Sequence, residues 1–192
     1  ACSAGGHLSE MLQLRGFYSK YPHFFITFER ADTESLARKE KVFFAPLPGR
    51  NPLSTAAAFF ECLKILRRED PRLVVSTGAD IGIVACVAGK LLGKKIVLLE
   101  SDAIPGLANR FLSRFTNNIA VAFEEAKKFF SGKNVYIVGN PVRTAFLGML
   151  KDEAERILDF PADQSAIFIS GGSHGAQKIN DVILKSLPAL LK

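Results

Sequence analysis

The sequence predicts an α/β fold built on a parallel sheet with helices on both sides. Three observations carry this reading. Short β-branched or aromatic runs recur along the chain, helix-like segments separate them, and glycine-rich turns follow three of the runs. The runs are apolar throughout, as strands buried on both faces are. The elements follow in order. A glycine turn at the start leads into a helical pattern over Leu8–Tyr18, with apolar residues at Leu8, Met11, Leu12 and Leu14. Strand-like runs occupy 24–28 and 41–47. A helix follows over Pro52–Glu69, with Leu53, Ala56, Ala57, Phe60, Leu63, Lys64 and Arg67 on overlapping turns. A strand at 72–77 precedes Ile81–Leu92, which is apolar nearly all round, as a buried helix is. Further strands are expected at 95–100, 118–122, 134–139 and 166–172, with a polar helix over Lys151–Leu158.

Composition narrows the class. The chain has 192 residues, is 48% hydrophobic and 23% charged, and carries 16 Phe, enough for a packed core. No stretch reaches the roughly 18–20 apolar residues of a membrane-spanning helix. Cys2, Cys62 and Cys86 are odd in number and widely spaced, which suits reduced thiols in a cytosolic protein. The formal charge of +6 is scattered, with no zinc-finger or other nucleic-acid signature, so an anionic nucleotide or an anionic membrane surface is the expected partner rather than nucleic acid. Both ends read as interrupted, so a piece of a larger protein is expected. Gly139-Asn140-Pro141 marks a boundary. Residues 1–139 read as one α/β domain, and 140–192 as a linker and the truncated start of a second.

In an open parallel sheet, ligands bind at the carboxyl ends of the strands. Three such ends carry unusual turns. In Ser3–Glu10, Gly5 and Gly6 let the backbone approach a ligand, and the following helix offers amides to an anion or a polar sugar group. His7 stands at its mouth, where an imidazole serves as a general base near neutral pH. The same residues also read as a plain turn capped by Ser3 or Ser9. In Ser76–Gly82, Gly78 gives a tight turn and Asp80 is a candidate cap for the next helix. In Ser170–Gln177, small residues, a hydroxyl and a helix start make a phosphate cradle without the Lys-Ser/Thr ending of a Walker loop. No His, Cys or carboxylate spacing suggests a metal site, and no cofactor is expected.

The motifs resemble those of the MurG-like family of bacterial UDP-N-acetylglucosamine transferases. GGSHGAQKIN (171–180) resembles the family's GGSQGA…N loop, GNPVR (139–143) is identical to its interdomain motif, and LESDAIPGLANRFLSRF (99–115) looks like its HEQN…GLTN segment. GGHLSEML with KLLGKKIVLLES (90–101) is also similar to the acceptor subunit of split lipid-linked N-acetylglucosamine transferases. The resemblance implies a GT-B fold: an acceptor domain, a donor domain and an active site between them. The implied reaction is inverting, with UDP-GlcNAc as a substrate and a polyprenyl-diphosphate-linked sugar as acceptor.

The roles it implies are specific. His7, Asp102 and Arg143 would be catalytic. Gly5, Gly6, Gly78, Ala79, Asp80, Glu100 and Asn109 would bind the acceptor. Gly171, Gly172, Ser173, His174, Gly175 and Asn180 would bind the UDP-sugar, with Arg143 stabilising the departing diphosphate. Two departures stand out: Asp102 replaces an Asn and His174 replaces a Gln. The family's setting implies a cytoplasmic protein peripheral on the inner face of the membrane. Leu53, Phe59, Phe60, Leu63 and Leu66 beside Lys64, Arg67 and Arg68 suit contact with anionic lipid, or equally a core face with a solvated basic edge. A non-catalytic acceptor-binding subunit and a GT-B UDP-GlcNAc 2-epimerase are the rival readings.

Overall fold

The computed structural model describes residues 1–49, 51–143, 147–159, 167–171 and 176–190. The chain divides into two compact units, Ala1–Val142 and Arg143–Lys192. In the first, α1 (Gly6–Gln13), α2 (Arg15–Tyr18), β1 (Phe25–Thr27), α3 (Ala31–Ala37) and β2 (Val42–Phe44) are followed by α4 (Pro52–Glu69) and β3 (Leu73–Ser76). Then come α5 (Ala79–Leu91), β4 (Lys95–Glu100), α6 (Leu107–Leu112), β5 (Asn118–Val121), a 3₁₀ helix (Glu124–Phe129) and β6 (Asn134–Ile137).

Every strand pairing is parallel. β1 pairs with β2, and β3 to β6 lie in the order β3-β4-β5-β6, with Val74 opposite Ile96, Leu98 opposite Ile119 and Ile119 opposite Val135. Residues 1–2 join the two groups. Cys2 N donates to Ile26 O at 3.2 Å, and Ala1 N to Val75 O at 2.6 Å. The order is thus β2-β1-(1–2)-β3-β4-β5-β6, which reverses direction on either side of the first residues. That is the order of a doubly wound sheet, and the reversal opens a crevice at the carboxyl edge.

The helix expected over Leu8–Tyr18 is interrupted at Leu14. Leu14 N bonds Met11 O, three residues back, which tightens and closes the turn. α4 has the expected bounds: Asn51 Oδ1 accepts from Leu53 N, Pro52 opens the first turn, and Asp70 ends the helix in the left-handed region. The sequence left open which side of this helix is core, and the packing decides it. Ala58, Cys62, Ile65 and Leu66 are buried, while Leu53, Ala56, Ala57, Phe60, Lys64 and Arg67 are exposed. The turn spacing marked a real face, but that face is turned to the outside, because the smaller 58–62–65–66 stripe is the one that packs closely. α5 is the central helix, with Ile81, Val84, Ala85, Cys86 and Ala88 buried against α4 and the sheet.

The second unit holds α7 (Lys151–Ile157) and α8 (Gln177–Leu190), and none of its described residues is buried. Residues 167–171 of the expected strand at 166–172 form no ladder, and Phe168 is 91% exposed. A parallel strand takes its hydrogen bonds from neighbouring strands, and the described part of this unit contains none.

Close helix–strand packing makes a testable demand at Gly82. A Cβ there would lie 2.4 Å from Ser76 Oγ, the hydroxyl that accepts from Gly78 N. Gly82→Ala should therefore lower unfolding free energy by about 1–3 kcal/mol in urea titrations, although alanine is the better helix former.

Candidate active site

Two strand–helix turns face the crevice with matching backbones. Gly5 (φ 80°, ψ −132°) precedes α1, and Gly78 (φ 86°, ψ −150°) precedes α5. Both helices start without a side-chain cap, so neither Ser3 nor Ser9 caps α1 and Asp80 does not cap α5. Asp80 stands exposed in the first turn of α5, where its charge favours the helix terminus. Ala79 follows with φ 60°, a left-handed conformation costly for a residue with a Cβ. The Gly5 amide is already engaged: it donates to Asp32 Oδ2 at 2.7 Å, and Asp32 Oδ1 accepts from Thr33 N at the start of α3. Gly5 therefore contributes its backbone conformation to the turn rather than an open donor.

α1 presents two faces. Leu8 and Met11 pack with Cys2, Phe25 and Leu36 in a small core of their own. One residue back at each turn, His7 and Glu10 share the other face, with His7 Nδ1 3.6 Å from Glu10 Oε2. That separation is an ion-pair distance, longer than a hydrogen bond. The Glu10 carboxylate pushes the His7 imidazole above its ordinary value of 6.5; burial pulls it down, and Asp102 and Glu100 add to the rise. Burial pushes Glu10 up, but contacts with His7 and the Ser101 hydroxyl outweigh it and hold the carboxyl below its ordinary value.

β4 ends at the same edge. Glu100 is buried, and burial pushes its carboxyl up against bonds that favour the charge. Its Oε1 accepts from Asp102 N at 2.9 Å and its Oε2 from Asn109 Nδ2 at 3.1 Å. Asn109 also donates to Leu99 O at 2.9 Å and lies against Gly78, where a Cβ would be 2.7 Å from Asn109 Oδ1. Glu100 thus fixes both the turn carrying Asp102 and the helix carrying Asn109. Asp102 itself is exposed.

Five buried side-chain atoms among the described residues have no hydrogen-bond partner: Ser3 Oγ, His7 Nδ1, Thr27 Oγ1, Thr77 Oγ1 and Asn109 Oδ1. Each belongs to a strand end, a turn or the first turn of a helix at the carboxyl edge. Buried polar atoms are normally paired, so these five atoms are open to water or to polar groups of a ligand at this edge.

The structure brings together Gly5, Gly6, His7, Gly78, Ala79, Glu100, Asp102 and Asn109 in the first unit. Arg143, Gly171 and Asn180 lie in the second, with Arg143 and Asn180 exposed and Gly171 half-buried. Gly172, Ser173, His174 and Gly175 lie outside the described residues. Sequence reasoning passed over Glu10, Asp32, Thr77 and Ser101. Glu10 carried a signal, three residues beyond His7 on a helix; Asp32 and Ser101 meet the site only through the fold.

The doubly wound parallel domain has the fold of the Rossmann-like half of GT-B proteins. MurG of Acinetobacter baumannii superposes with a TM-score of 0.60 at 16% identity, over 74% of this chain and 45% of that one. UDP-N-acetylglucosamine 2-epimerase from Rickettsia bellii gives 0.63 at 14% identity, over 83% and 50%. The chain belongs to glycosyltransferase family 28, whose N-terminal domain matches residues 4–121. Curated relatives carry the name UDP-N-acetylglucosamine–N-acetylmuramyl-(pentapeptide) pyrophosphoryl-undecaprenol N-acetylglucosamine transferase. That of Syntrophus aciditrophicus is 33% identical, over 72% of this chain and 37% of its own length. That of Chlorobaculum tepidum is 37% identical, over 64% and 34%. The chain thus spans little more than a third of these relatives.

The two turns separate structural from ligand-driven glycines. Gly6 has no positive φ and nothing within 4 Å of where a methyl group would stand, whereas Gly78 has φ +86° and Asn109 in the way. Gly78→Ala should cost about 1–3 kcal/mol of stability. Gly6→Ala should leave the thermal midpoint unchanged, and any loss of function it causes reports a ligand at the backbone.

Proposed function

We propose that this chain is the acceptor-side part of an inverting glycosyltransferase. It moves N-acetylglucosamine from UDP-GlcNAc to a sugar carried on a polyprenyl diphosphate. The observation that carries the reading is the family 28 domain over residues 4–121, within which His7, Glu100, Asp102 and Asn109 share one edge. The fold alone does not choose between transfer and 2-epimerisation, since both kinds of enzyme have it. The sequence relatives favour transfer.

In this mechanism an acceptor hydroxyl attacks the anomeric carbon while a base takes its proton. His7 is the leading base, with Asp102 beside it. Asn109, Glu100 and the Gly78–Asp80 turn hold the acceptor sugar. The carbon–oxygen bond to UDP breaks and the electron pair leaves with the diphosphate. Arg143, with Gly171, Gly172, Ser173, His174, Gly175 and Asn180, holds that diphosphate, the guanidinium offsetting the charge as it develops. No metal or cofactor enters the scheme.

The acceptor's lipid calls for a membrane contact without a span. No described helix is long and apolar enough to cross a bilayer. The outer face of α4 offers Leu53 and Phe60, 78% and 65% exposed, ahead of Lys64, Arg67 and Arg68. Phe60, Leu63 and the three basic residues line an open groove of ≈ 530 Å³. Leu66, by contrast, is buried in the core and takes no part. Apolar residues followed by basic ones suit the inner, anionic face of the cytoplasmic membrane.

Radiolabelled UDP-GlcNAc offered to the full-length protein with polyprenyl-diphosphate sugars should give a lipid-linked product. UDP release without acceptor would favour epimerisation. Activity that needs an added donor domain would identify an acceptor-binding subunit. Arg143→Ala should lower kcat by about 10²–10³-fold. Reversing Lys64, Arg67 and Arg68 to Glu should weaken sedimentation with anionic vesicles at least tenfold, at about 1 kcal/mol per basic residue.

A further inference from the structure

The geometry points to Glu10 as the positioning residue for His7, holding the imidazole at Nδ1 and leaving Nε2 for the acceptor hydroxyl. This rests on the reading of His7 as the base. Three features converge on Glu10. It stands one helical turn beyond His7, on a helix held in rotation by Leu8 and Met11 in the core. His7 Nδ1 is buried and lacks a hydrogen-bond partner, with the Glu10 carboxylate 3.6 Å away. The Ser101 hydroxyl, just after β4, adds to the pull of His7 that keeps the Glu10 carboxyl below its ordinary value.

The charges facing His7 are Glu10 from its own helix, and Glu100 and Asp102 from β4 and the turn after it. From α3, Asp32 reaches only as far as the Gly5 amide. Glu100 and Asp102 are bonded to each other through the Asp102 amide, and Glu100 also holds Asn109. Glu10 is the carboxylate placed at the buried Nδ1 of the ring, 3.6 Å away. An ionised Glu10 favours the neutral tautomer with the proton on Nδ1, which leaves the lone pair on Nε2. As the acceptor O–H bond breaks, its proton moves to Nε2, and the oxygen bonds the anomeric carbon as UDP departs with its electron pair. The imidazolium formed is stabilised by Glu10 and later releases its proton to solvent.

The pairing also fixes a pH dependence. His7, raised above 6.5, contributes stability that is full below 6.5 and lost as pH rises through its raised value. Glu10, held below 4.5, contributes stability that is present above 4.5 and lost as pH falls through its lowered value. The pair is complete between those limits.

Long-range ¹H–¹⁵N NMR of the imidazoles, on this chain from acid to alkaline pH, tests the proposal without any assay of turnover. The chain has three His, and His7→Asn assigns the relevant signal. Glu10→Gln should lower the His7 midpoint and mix its neutral tautomers, with Glu10→Asp intermediate. An unmoved midpoint and an unmoved tautomer would overturn the proposal. In the full-length protein, the acid limb of kcat/KM should fall by the same shift, with KM for UDP-GlcNAc unchanged. If the NMR midpoint moves and the acid limb stays, His7 is not the base, and Glu10 loses its catalytic role while the pairing stands.

Discussion

The crevice depends on the seating of residues 1–2 between β1 and β3. With Cys2 bonded to Ile26 and Ala1 to Val75, the chain leaves the sheet toward α1 on one side and reaches α5 on the other. Helical connections on opposite sides cannot close over the gap between them. The two glycine turns border that gap, and each needs its positive φ to aim a helix start at it. Gly82 and Gly89 then allow α5 to lie close on β3, with Cβ positions only 2.4 Å from Ser76 Oγ and 3.0 Å from Val74 Cγ2. The Gly78 wall is thus set by backbone packing. Glu100, Asn109 and the turn between them, which meet Gly78 through Asn109, are set by side-chain hydrogen bonds.

The electrostatics follow from the same placement. Carboxylates on α1, β4 and the turn after β4 converge on one imidazole, and Asp32 occupies an amide of the first glycine turn. An anion entering beside Gly5 meets that carboxylate, while a hydroxyl-bearing sugar finds acceptors on several sides. The edge therefore suits hydroxyl groups better than an anion. Leaving Ser3, Thr27, Thr77 and Asn109 atoms unpaired within the protein costs stability unless water or a polar ligand pairs them.

Much of the first unit was legible because parallel strands buried in a sheet are written as short apolar runs. The six runs before residue 140 all became strands, and α4 kept its expected bounds because Asn51, Pro52 and Asp70 act locally. The failures were tertiary. The spacing of Leu53, Phe60 and Lys64 revealed a helical face but not which way it turns, since that depends on the fit of Ala58 and Cys62 against α5. α3 and α6 are too short to show a period. Within the site, His7, Gly78 and Glu100 could be read from turns and motif resemblance. Asp32 and Ser101 could not, because their partners lie far away along the chain.

The packing of α4 against α5 links the outer basic face to the crevice. One face of α4 is clamped to α5 by Ala58, Cys62, Ile65 and Leu66, and α5 begins at the Gly78 wall. If the outer face of α4 rests on a bilayer, as proposed, that clamp would make the helix pair a rigid spacer. It would hold the crevice at a constant height above the lipid surface. Substrates would then be sorted by the reach between their membrane anchor and their reactive hydroxyl, a selection by length made without any contact to the lipid chain itself.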